Sequence, residues 1–204
     1  SFSTELHLRG DDLVVVGDFD PTLGDPRIAE QMNTSPYAEM DRWAATVRRR
    51  LGDRVAGDLL LRQARPAESF RHPDWPEAQH QRWYAAPVAS LNFANNCLGV
   101  TFEVGSGRAK AHVEPESYLV EVVDRVKPGR RHLWSLRANE DGSRVELVGT
   151  ARTSTTDPLY VAVDHPPLLL GRVLADRLRR AGVELQGDVR CVRGEFPDLS
   201  DQTV

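Results

Sequence analysis

One short stretch of the chain gathers several residue types that could ligate a metal ion. It carries four such side chains, His72, Asp74, Glu77 and His80. A zinc site needs three or four nitrogen, sulfur or oxygen ligands within about 2.3 Å of the metal. Two prolines interrupt this stretch, and its spacing matches no helical ligand motif. We therefore predict a solvated loop and no metal; a metal hydrolase using His72, Asp74 and His80 is the third of three functional hypotheses.

The serines of the chain lack the neighbours that acyl transfer requires, namely a base beside the nucleophile. The sequence contains no Gly-x-Ser-x-Gly, no Ser-x-x-Lys and no Lys-Thr-Gly. Ser90-Leu91-Asn92 matches a Ser-x-Asn pattern, but three-residue matches arise often by chance. A strand whose polar residues face a loop is the preferred interpretation. We predict no catalytic residue here, so this chain by itself is not expected to be an enzyme.

Two further groups have a structural interpretation. Asp18 and Asp20 form a carboxylate pair, and glycosidases use two carboxylates about 5–10 Å apart. Before Pro21, however, aspartates more often accept hydrogen bonds from backbone amides in a turn. Gly105-Ser-Gly-Arg-Ala-Lys combines glycines with cations but lacks the Gly-Lys-Ser/Thr end of a phosphate loop. It lies between two strand-like segments, which indicates a hairpin turn.

The composition describes a globular chain and excludes several classes of protein. The 204 residues carry a net charge of -4, and the mean hydropathy is -0.44. No apolar run approaches the roughly 20 residues of a membrane span, so we predict no transmembrane segment. Basic and acidic residues are interspersed, which argues against a nucleic-acid partner. Cys97 and Cys191 allow one disulfide at most, and no motif indicates a cofactor. The start in strand-like sequence at Ser1, without a signal peptide, favours a piece of a longer protein.

The first part of the chain has the order of a crossover unit. Strand-like sequence at 4–9 and 12–17 is followed by helical sequence starting at Asp25-Pro26 and Ser35-Pro36. A second apolar strand is predicted over Val55–Leu61. Strand, helix and strand in this order favour a parallel sheet. Residues 64–86 are irregular because prolines forbid a long helix, and the aromatic side chains Trp75, Trp83 and Tyr84 predict a packed loop.

A β-rich part then interrupts this α/β pattern. Short strand-like segments separated by turn residues predict a small antiparallel sheet or sandwich; they lie at 87–93, 97–104, 118–123, 132–137 and 144–150. Helical sequence ending at Gly182 and a strand at Val183–Leu185 resume the first pattern. The predicted fold is therefore a small α/β domain (1–95 and 155–195) with a parallel-type sheet, carrying an inserted antiparallel β-sandwich-like domain (96–154), before a tail at 196–204.

Five segments resemble the class C low-molecular-mass penicillin-binding proteins, the serine D-alanyl-D-alanine carboxypeptidases/endopeptidases. They occur in the same order as in that family and span about residues 10–190. They include Gly-Asp-Asp-Leu-Val-Val-Val-Gly-Asp-Phe-Asp-Pro-Thr-Leu at 10–23, Val-Ala-Gly-Asp-Leu-Leu-Leu at 55–61, Trp-Pro at 75–76 with Tyr-Ala-Ala-Pro-Val-Ala-Ser-Leu-Asn-Phe-Ala-Asn-Asn-Cys-Leu-Gly-Val at 84–100, Val-Glu-Leu-Val-Gly-Thr at 145–150, and Leu-Tyr-Val-Ala-Val-Asp-His-Pro at 159–166 with Ala-Gly-Val-Glu-Leu-Gln-Gly at 181–187.

This resemblance implies that the chain is the accessory, non-catalytic region of an exported enzyme. In the family, two accessory domains lie between the Ser-x-x-Lys motif upstream and the Ser-x-Asn and Lys-Thr-Gly motifs downstream. Ser90-Leu91-Asn92 would then stand at the wrong place to be catalytic, and near Ser200-Asp201 a glutamine, Gln202, stands where an asparagine is needed. The parent protein would cleave peptidoglycan peptides in the periplasm or another extracytoplasmic space.

The same resemblance implies a substrate-binding pair, Trp75 and Glu77. In the family, an acidic residue shortly after a Trp-Pro step helps to form a pocket for the peptide side chain of peptidoglycan. Glu77 stands close to that position, and its carboxylate could pair with a substrate ammonium. A solvated loop glutamate remains the competing interpretation. For the whole chain, the second hypothesis is a stand-alone cell-wall binding or scaffolding module without a catalytic domain.

Overall fold

The computed structural model describes residues 4–63, 71 and 74–192. Its strands are β1 (Thr4–Arg9), β2 (Asp12–Gly17), β3 (Arg54–Val55), β4 (Leu59–Arg62), β5 (Cys97–Gly105), β6 (Arg108–Glu114), β7 (Glu121–Pro128), β8 (Leu133–Ala138), β9 (Arg144–Ala151), β10 (Leu159–Ala162), β11 (Glu184–Leu185) and β12 (Val189–Val192). Its helices are α1 (Pro26–Gln31), α2 (Ala38–Leu51) and α3 (Pro166–Arg180), with short 3₁₀ turns at Glu77–Gln79, Trp83–Ala85 and Ala94–Asn96.

A four-stranded mixed sheet in the order β1-β2-β4-β12 forms the α/β part. β1 and β2 are an antiparallel hairpin, whereas β4 runs parallel to both β2 and β12. The two parallel connections contain helices, α2 before β4 and α3 before β12, as such connections require. The prediction of a parallel-type sheet within an α/β arrangement is therefore confirmed.

The helices form where the sequence predicts them. Pro26 occupies the first turn of α1, and the Asp25 carboxylate accepts hydrogen bonds from the backbone N–H groups of Arg27 and Ile28 at 2.7 and 3.1 Å. The face of α2 that turns inward carries Met40, Ala44 and Val47, all buried, at the three- and four-residue spacing of an amphipathic helix. α3 is buried along most of its length, because it packs against both α2 and the sheet.

Two Gly-Asp turns stack at the start of the parallel strands. The Asp12 carboxylate accepts the backbone N–H of Asp58 at 2.8 Å, and the Asp58 carboxylate accepts that of Asp188, also at 2.8 Å. A Cβ atom on Gly57 would lie 2.2 Å from Asp12 Oδ1, and one on Gly187 would lie 2.3 Å from Asp58 Oδ1. Both positions therefore require glycine. The Gly57-Asp58 turn also divides the single strand predicted at Val55–Leu61 into two strands, β3 and β4. The prediction of one continuous strand is therefore wrong.

The β-rich part contains two three-stranded sheets. β5 forms antiparallel pairs with β6 and with β10, and the β5–β6 turn is Ser106-Gly107 with φ values of 48° and 78°, which confirms the predicted hairpin. The second sheet has the order β7-β9-β8. Here β7 runs parallel to β9, which corrects the expectation of a purely antiparallel arrangement. Pairing between strands that do not follow one another in the chain leaves no local sequence signal.

One continuous cluster of buried apolar side chains runs through both parts. It includes Leu13 and Leu59 of the mixed sheet, Leu174 of α3, Phe102 of β5 and Leu147 of β9. The predicted division at 96–154 stays a prediction, although β10, from the flanking range, pairs with β5 inside it. Within the described ranges, no helix has the length and hydropathy to cross a bilayer.

The stacked Gly-Asp turns predict a strong effect of adding one methyl group. Gly187→Ala should lower the free energy of unfolding by about 1–3 kcal/mol, because its Cβ would meet the Asp58 carboxylate and the Gly57 carbonyl. Gly105→Ala is the matched control, since no atom lies within 4 Å of its Cβ position. Urea unfolding of both variants checks this. Equal stabilities for the two would contradict the close approach.

Candidate functional site

Trp75 and Glu77, the predicted substrate-binding residues, lie on an exposed turn. Trp75 is 38% exposed, and Glu77 is exposed at the start of the 3₁₀ turn Glu77–Gln79. The His80 ring nitrogen Nε2 lies 3.1 Å from the Trp75 carbonyl oxygen, so the turn closes on itself. The two side chains are one residue apart on this turn, with Pro76 between them, so both are accessible to a ligand in solvent.

The neighbouring aromatic side chains also face solvent. Trp83 is 66% exposed and Tyr84 is 56% exposed, and their rings meet edge to face with centroids 5.8 Å apart. Val88, four residues further on, is 61% exposed. The sequence predicts a packed loop here; the side chains of Trp83 and Tyr84 contact each other but are mostly exposed to solvent. Exposed aromatic rings close together are typical of a surface that binds a partner or a ligand.

Arg71 fixes this loop to the rest of the molecule. Its guanidinium pairs with the Asp164 carboxylate at 2.5 Å and donates to the backbone carbonyls of His80 and Ala85 at 2.9 and 3.4 Å. The β10 strand adds a hydrogen bond from the Ala162 N–H to the Gln81 carbonyl. The pairing of Arg71 with Asp164 leaves no local sequence signal, because 93 positions separate the two residues.

Ser90 and Asn92, the Ser-x-Asn match, are buried and serve the fold. The Asn92 side-chain oxygen accepts the Ala89 backbone N–H at 3.0 Å, and its nitrogen donates to the carbonyls of Ala89 and Asp20 at 2.7 and 3.2 Å. The Ser90 carbonyl accepts the backbone N–H of Phe19. Both heteroatoms of Asn92 are thus engaged in joining two loops, and the amide has no free edge toward a substrate.

Asn96 extends this network. Its side-chain nitrogen donates to Asn92 Oδ1 at 2.7 Å and to the Pro87 carbonyl at 2.8 Å, and its oxygen accepts the Phe93 backbone N–H at 3.2 Å. These side-chain bonds replace a strand ladder, so the strand predicted at 87–93 is instead irregular chain. Ala89 of this segment lies in the core without any sheet pairing.

The remaining candidate residues either stabilise a turn or lie outside the residues that the structure describes. Asp20 Oδ1 accepts both the N–H and the hydroxyl of Thr22 at 2.8 and 2.7 Å, which confirms the turn interpretation of the Asp18/Asp20 pair. His72, one of the three residues of the metal hypothesis, lies outside the described residues. Ser200, Asp201 and Gln202, near the C-terminus, lie outside them as well. Among the residues that are described, no three His, Cys, Asp or Glu side chains come together as metal ligands.

The two cysteines have different surroundings. Cys191 is exposed, whereas Cys97 is buried at the start of β5. Burial raises the pKa of the Cys97 thiol to about 11, since the charged thiolate would lose its hydration. At neutral pH this thiol is therefore protonated and a poor nucleophile.

Comparisons with known proteins agree with the sequence resemblance. A sequence model of the D-Ala-D-Ala carboxypeptidase 3 (S13) family matches residues 1–201. A search among curated proteins finds no significant match. Two solved structures of penicillin binding protein 4 (dacB) from Haemophilus influenzae are similar in fold, one of them complexed with a novel β-lactam.

The similarity to these two structures is one of fold, and it covers only part of the length of the solved proteins. The first structure superposes with a TM-score of 0.68 and 17% identity, covering 99% of this chain and 45% of the other. For the β-lactam complex the values are 0.59 and 17%, with 99% and 43% covered. This chain thus spans less than half the length of the solved structures that it resembles.

The Asn92 network predicts a large loss of stability on truncation. Asn92→Ala should lower the free energy of unfolding by about 2–3 kcal/mol, because the buried Ala89 N–H and carbonyl lose their partner. Gln31→Ala, which removes an exposed side-chain amide at the end of α1, should change it by less than about 0.5 kcal/mol. Thermal unfolding checks both. An unchanged Asn92→Ala protein would contradict a structural role for this amide.

Proposed function

This chain belongs to the D-Ala-D-Ala carboxypeptidase 3 (S13) family, and we propose that it is the non-catalytic accessory region of a D-Ala-D-Ala carboxypeptidase/endopeptidase. The observation that carries the proposal is the state of its only Ser-x-Asn match. Ser90 and Asn92 are buried within the fold, and the sequence has neither a Ser-x-x-Lys nor a Lys-Thr-Gly motif. The serine nucleophile and lysine base of an acyl-enzyme route would come from another part of the same protein.

The proposed role of the accessory region is to position peptidoglycan peptides. Trp75 and Glu77 support this role, since an exposed indole and an exposed carboxylate lie together on one turn. The carboxylate would pair with an ammonium group of the peptide, and the indole would cover its aliphatic part. Arg71 holds the turn against Asp164, which keeps the binding groups in place. Such a substrate places the protein outside the cytoplasm.

We propose the same division of the chain as the sequence indicates. Residues 1–95 and 155–195 would form one accessory domain, and 96–154 would be a β-sandwich-like domain inserted into it. The two parallel strand pairs on either side of β4 and the three-stranded sheet β7-β9-β8, whose strands all lie within 96–154, support this division.

The proposal predicts that the 204-residue chain does not react with penicillin. Incubation with a fluorescent penicillin should leave it unlabelled on a denaturing gel, because its sequence has no Ser-x-x-Lys motif to supply an activated serine. Penicillin binding protein 4 from Haemophilus influenzae, run in parallel, is the positive control. Stoichiometric labelling would overturn the proposal, and its loss in Ser90→Ala would identify the nucleophile.

A second prediction concerns the binding of peptidoglycan peptides. Glu77→Gln should weaken the binding of a soluble muropeptide that carries a free amino group by about threefold at low salt, as expected for an exposed ion pair. Trp75→Ala should weaken it further, since the aromatic contact is lost. Isothermal titration calorimetry measures both.

Glu140→Gln is the matched control, because Glu140 is an exposed glutamate in the loop between β8 and β9. It should bind like the unmodified chain. If Glu77→Gln and Glu140→Gln bound the muropeptide equally well, Glu77 would not belong to the substrate-binding surface.

A further inference from the structure

A cavity of about 300 Å³ lies beside the β5-β6-β10 sheet. Its floor follows from strand geometry, because alternate residues of a strand share a face. Cys97, Gly99 and Thr101 of β5 line the cavity, whereas the intervening Leu98 and Val100 are buried in the core. Neither Trp75 nor Glu77 lines it, so the cavity is separate from the substrate-binding turn.

The missing side chain of Gly99 contributes to the hollow. Tyr160 on one neighbouring strand and Glu114 on the other are both in register with Gly99. A Cβ atom on Gly99 would lie 3.2 Å from Pro158 Cβ and 3.3 Å from Tyr160 Cε1. A larger residue at this position would therefore occupy the space between the tyrosine and the glutamate.

Three aromatic rings form the walls. Tyr37, just before α2, and Phe93 have ring centroids 6.0 Å apart, and Tyr160 stands on the floor. Burial is the largest cause raising the pKa of both Tyr37 and Tyr160, with the Glu114 carboxylate acting in the same direction on each. Both phenols are consequently neutral at physiological pH. Neutral aromatic faces around a small space attract cations through their quadrupoles.

The Glu114 carboxylate supplies the negative charge at this cavity. Within the described part of the chain it has no hydrogen-bond or ion-pair partner, and it acts on both Tyr37 and Tyr160. The negative charge of Asp25 also raises the pKa of Tyr160, and that of Glu116 raises the pKa of Tyr37. The carboxylates thus exceed the cations that act on these two rings.

Two arginines and one histidine oppose these carboxylates. Arg27 acts on Tyr160, and Arg177 stacks on the Tyr37 ring at 4.9 Å. Arg177 is already paired with both oxygens of Asp41, at 2.5 and 2.9 Å. His112, which also lines the cavity, lies 3.6 Å from the Glu103 carboxylate. Among the described residues that line the cavity, the one carboxylate is therefore Glu114, and none of these cations forms an ion pair with it.

We propose that this cavity binds a small primary alkylammonium ion, with its charge at Glu114 and its aliphatic part between Tyr37, Tyr160 and Phe93. A volume near 300 Å³ lies at the lower end of small-molecule sites and suits a short aliphatic amine. A single carboxylate with aromatic walls favours an organic cation over a metal ion, which needs several oxygen ligands. The site does not depend on the function proposed above.

Titration of the chain with n-pentylamine, pentan-1-ol and pentanoate, followed by amide NMR, tests this site. The three probes each contain five carbon atoms in one unbranched chain and differ in charge. We expect saturable shifts at the amides of Gly99, Glu114 and Tyr160 with n-pentylamine. Pentan-1-ol should bind about fivefold more weakly, since it lacks the charge for Glu114, and pentanoate more weakly still.

Glu114→Gln should reduce the affinity for n-pentylamine to that for pentan-1-ol. Glu140→Gln is the matched control, because Glu140 is exposed between β8 and β9 and does not line the cavity; it should leave the affinity unchanged. Both substitutions are at exposed positions, and amide spectra outside the site report whether the fold persists. Equal affinity for pentanoate and n-pentylamine, shifts mapping elsewhere, or an unchanged Glu114→Gln affinity would each overturn the proposal.

Discussion

The buried amide pair of Asn92 and Asn96 holds together the part of the molecule on which both candidate sites depend. Irregular chain can enter a core only when its backbone polar groups find partners, and here two side-chain amides provide them. Through the Pro87 carbonyl the pair fixes the end of the exposed aromatic loop, and through the Phe93 N–H it fixes one wall of the cavity. A motif that resembles catalytic machinery is thus explained by the requirement to satisfy buried polar groups.

The sequence predicted correctly those helices and turns that depend on interactions between residues close together in the chain. Pro26 after Asp25, the buried face of α2 and the Ser106-Gly107 turn all formed as expected, because capping, helical periodicity and turn conformation act over a few residues. The segment at 87–93 failed for an instructive reason. Its apolar residues alternate as in a strand, but Asn92 satisfies the backbone from within the segment, so no neighbouring strand is needed. The parallel pairing of β7 with β9 likewise has no local signature.

Of the two candidate sites, one could be predicted from the sequence and the other could not. Trp75 and Glu77 were predicted from a resemblance of short motifs, and the structure adds their exposure and the Arg71 anchor that holds their turn. The cavity beside Gly99 was not predicted, because it arises from the register of the strands. Only the pairing of Gly99 with both Glu114 and Tyr160 shows that a carboxylate and a phenol flank an empty position. A lone glycine in a strand is visible in the sequence, but its cross-strand neighbours are not.

The stacked Gly-Asp turns also imply an order of assembly. The hydrogen bond from the Asp58 N–H to Asp12 spans 46 residues, whereas that from the Asp188 N–H to Asp58 spans 130. The second bond needs the Asp58 turn to be in place already, and closing the longer loop has the larger entropic cost. The docking of β12 is therefore expected late in folding, after β2 and β4 have paired, and the chain as a whole is expected to fold slowly for its size.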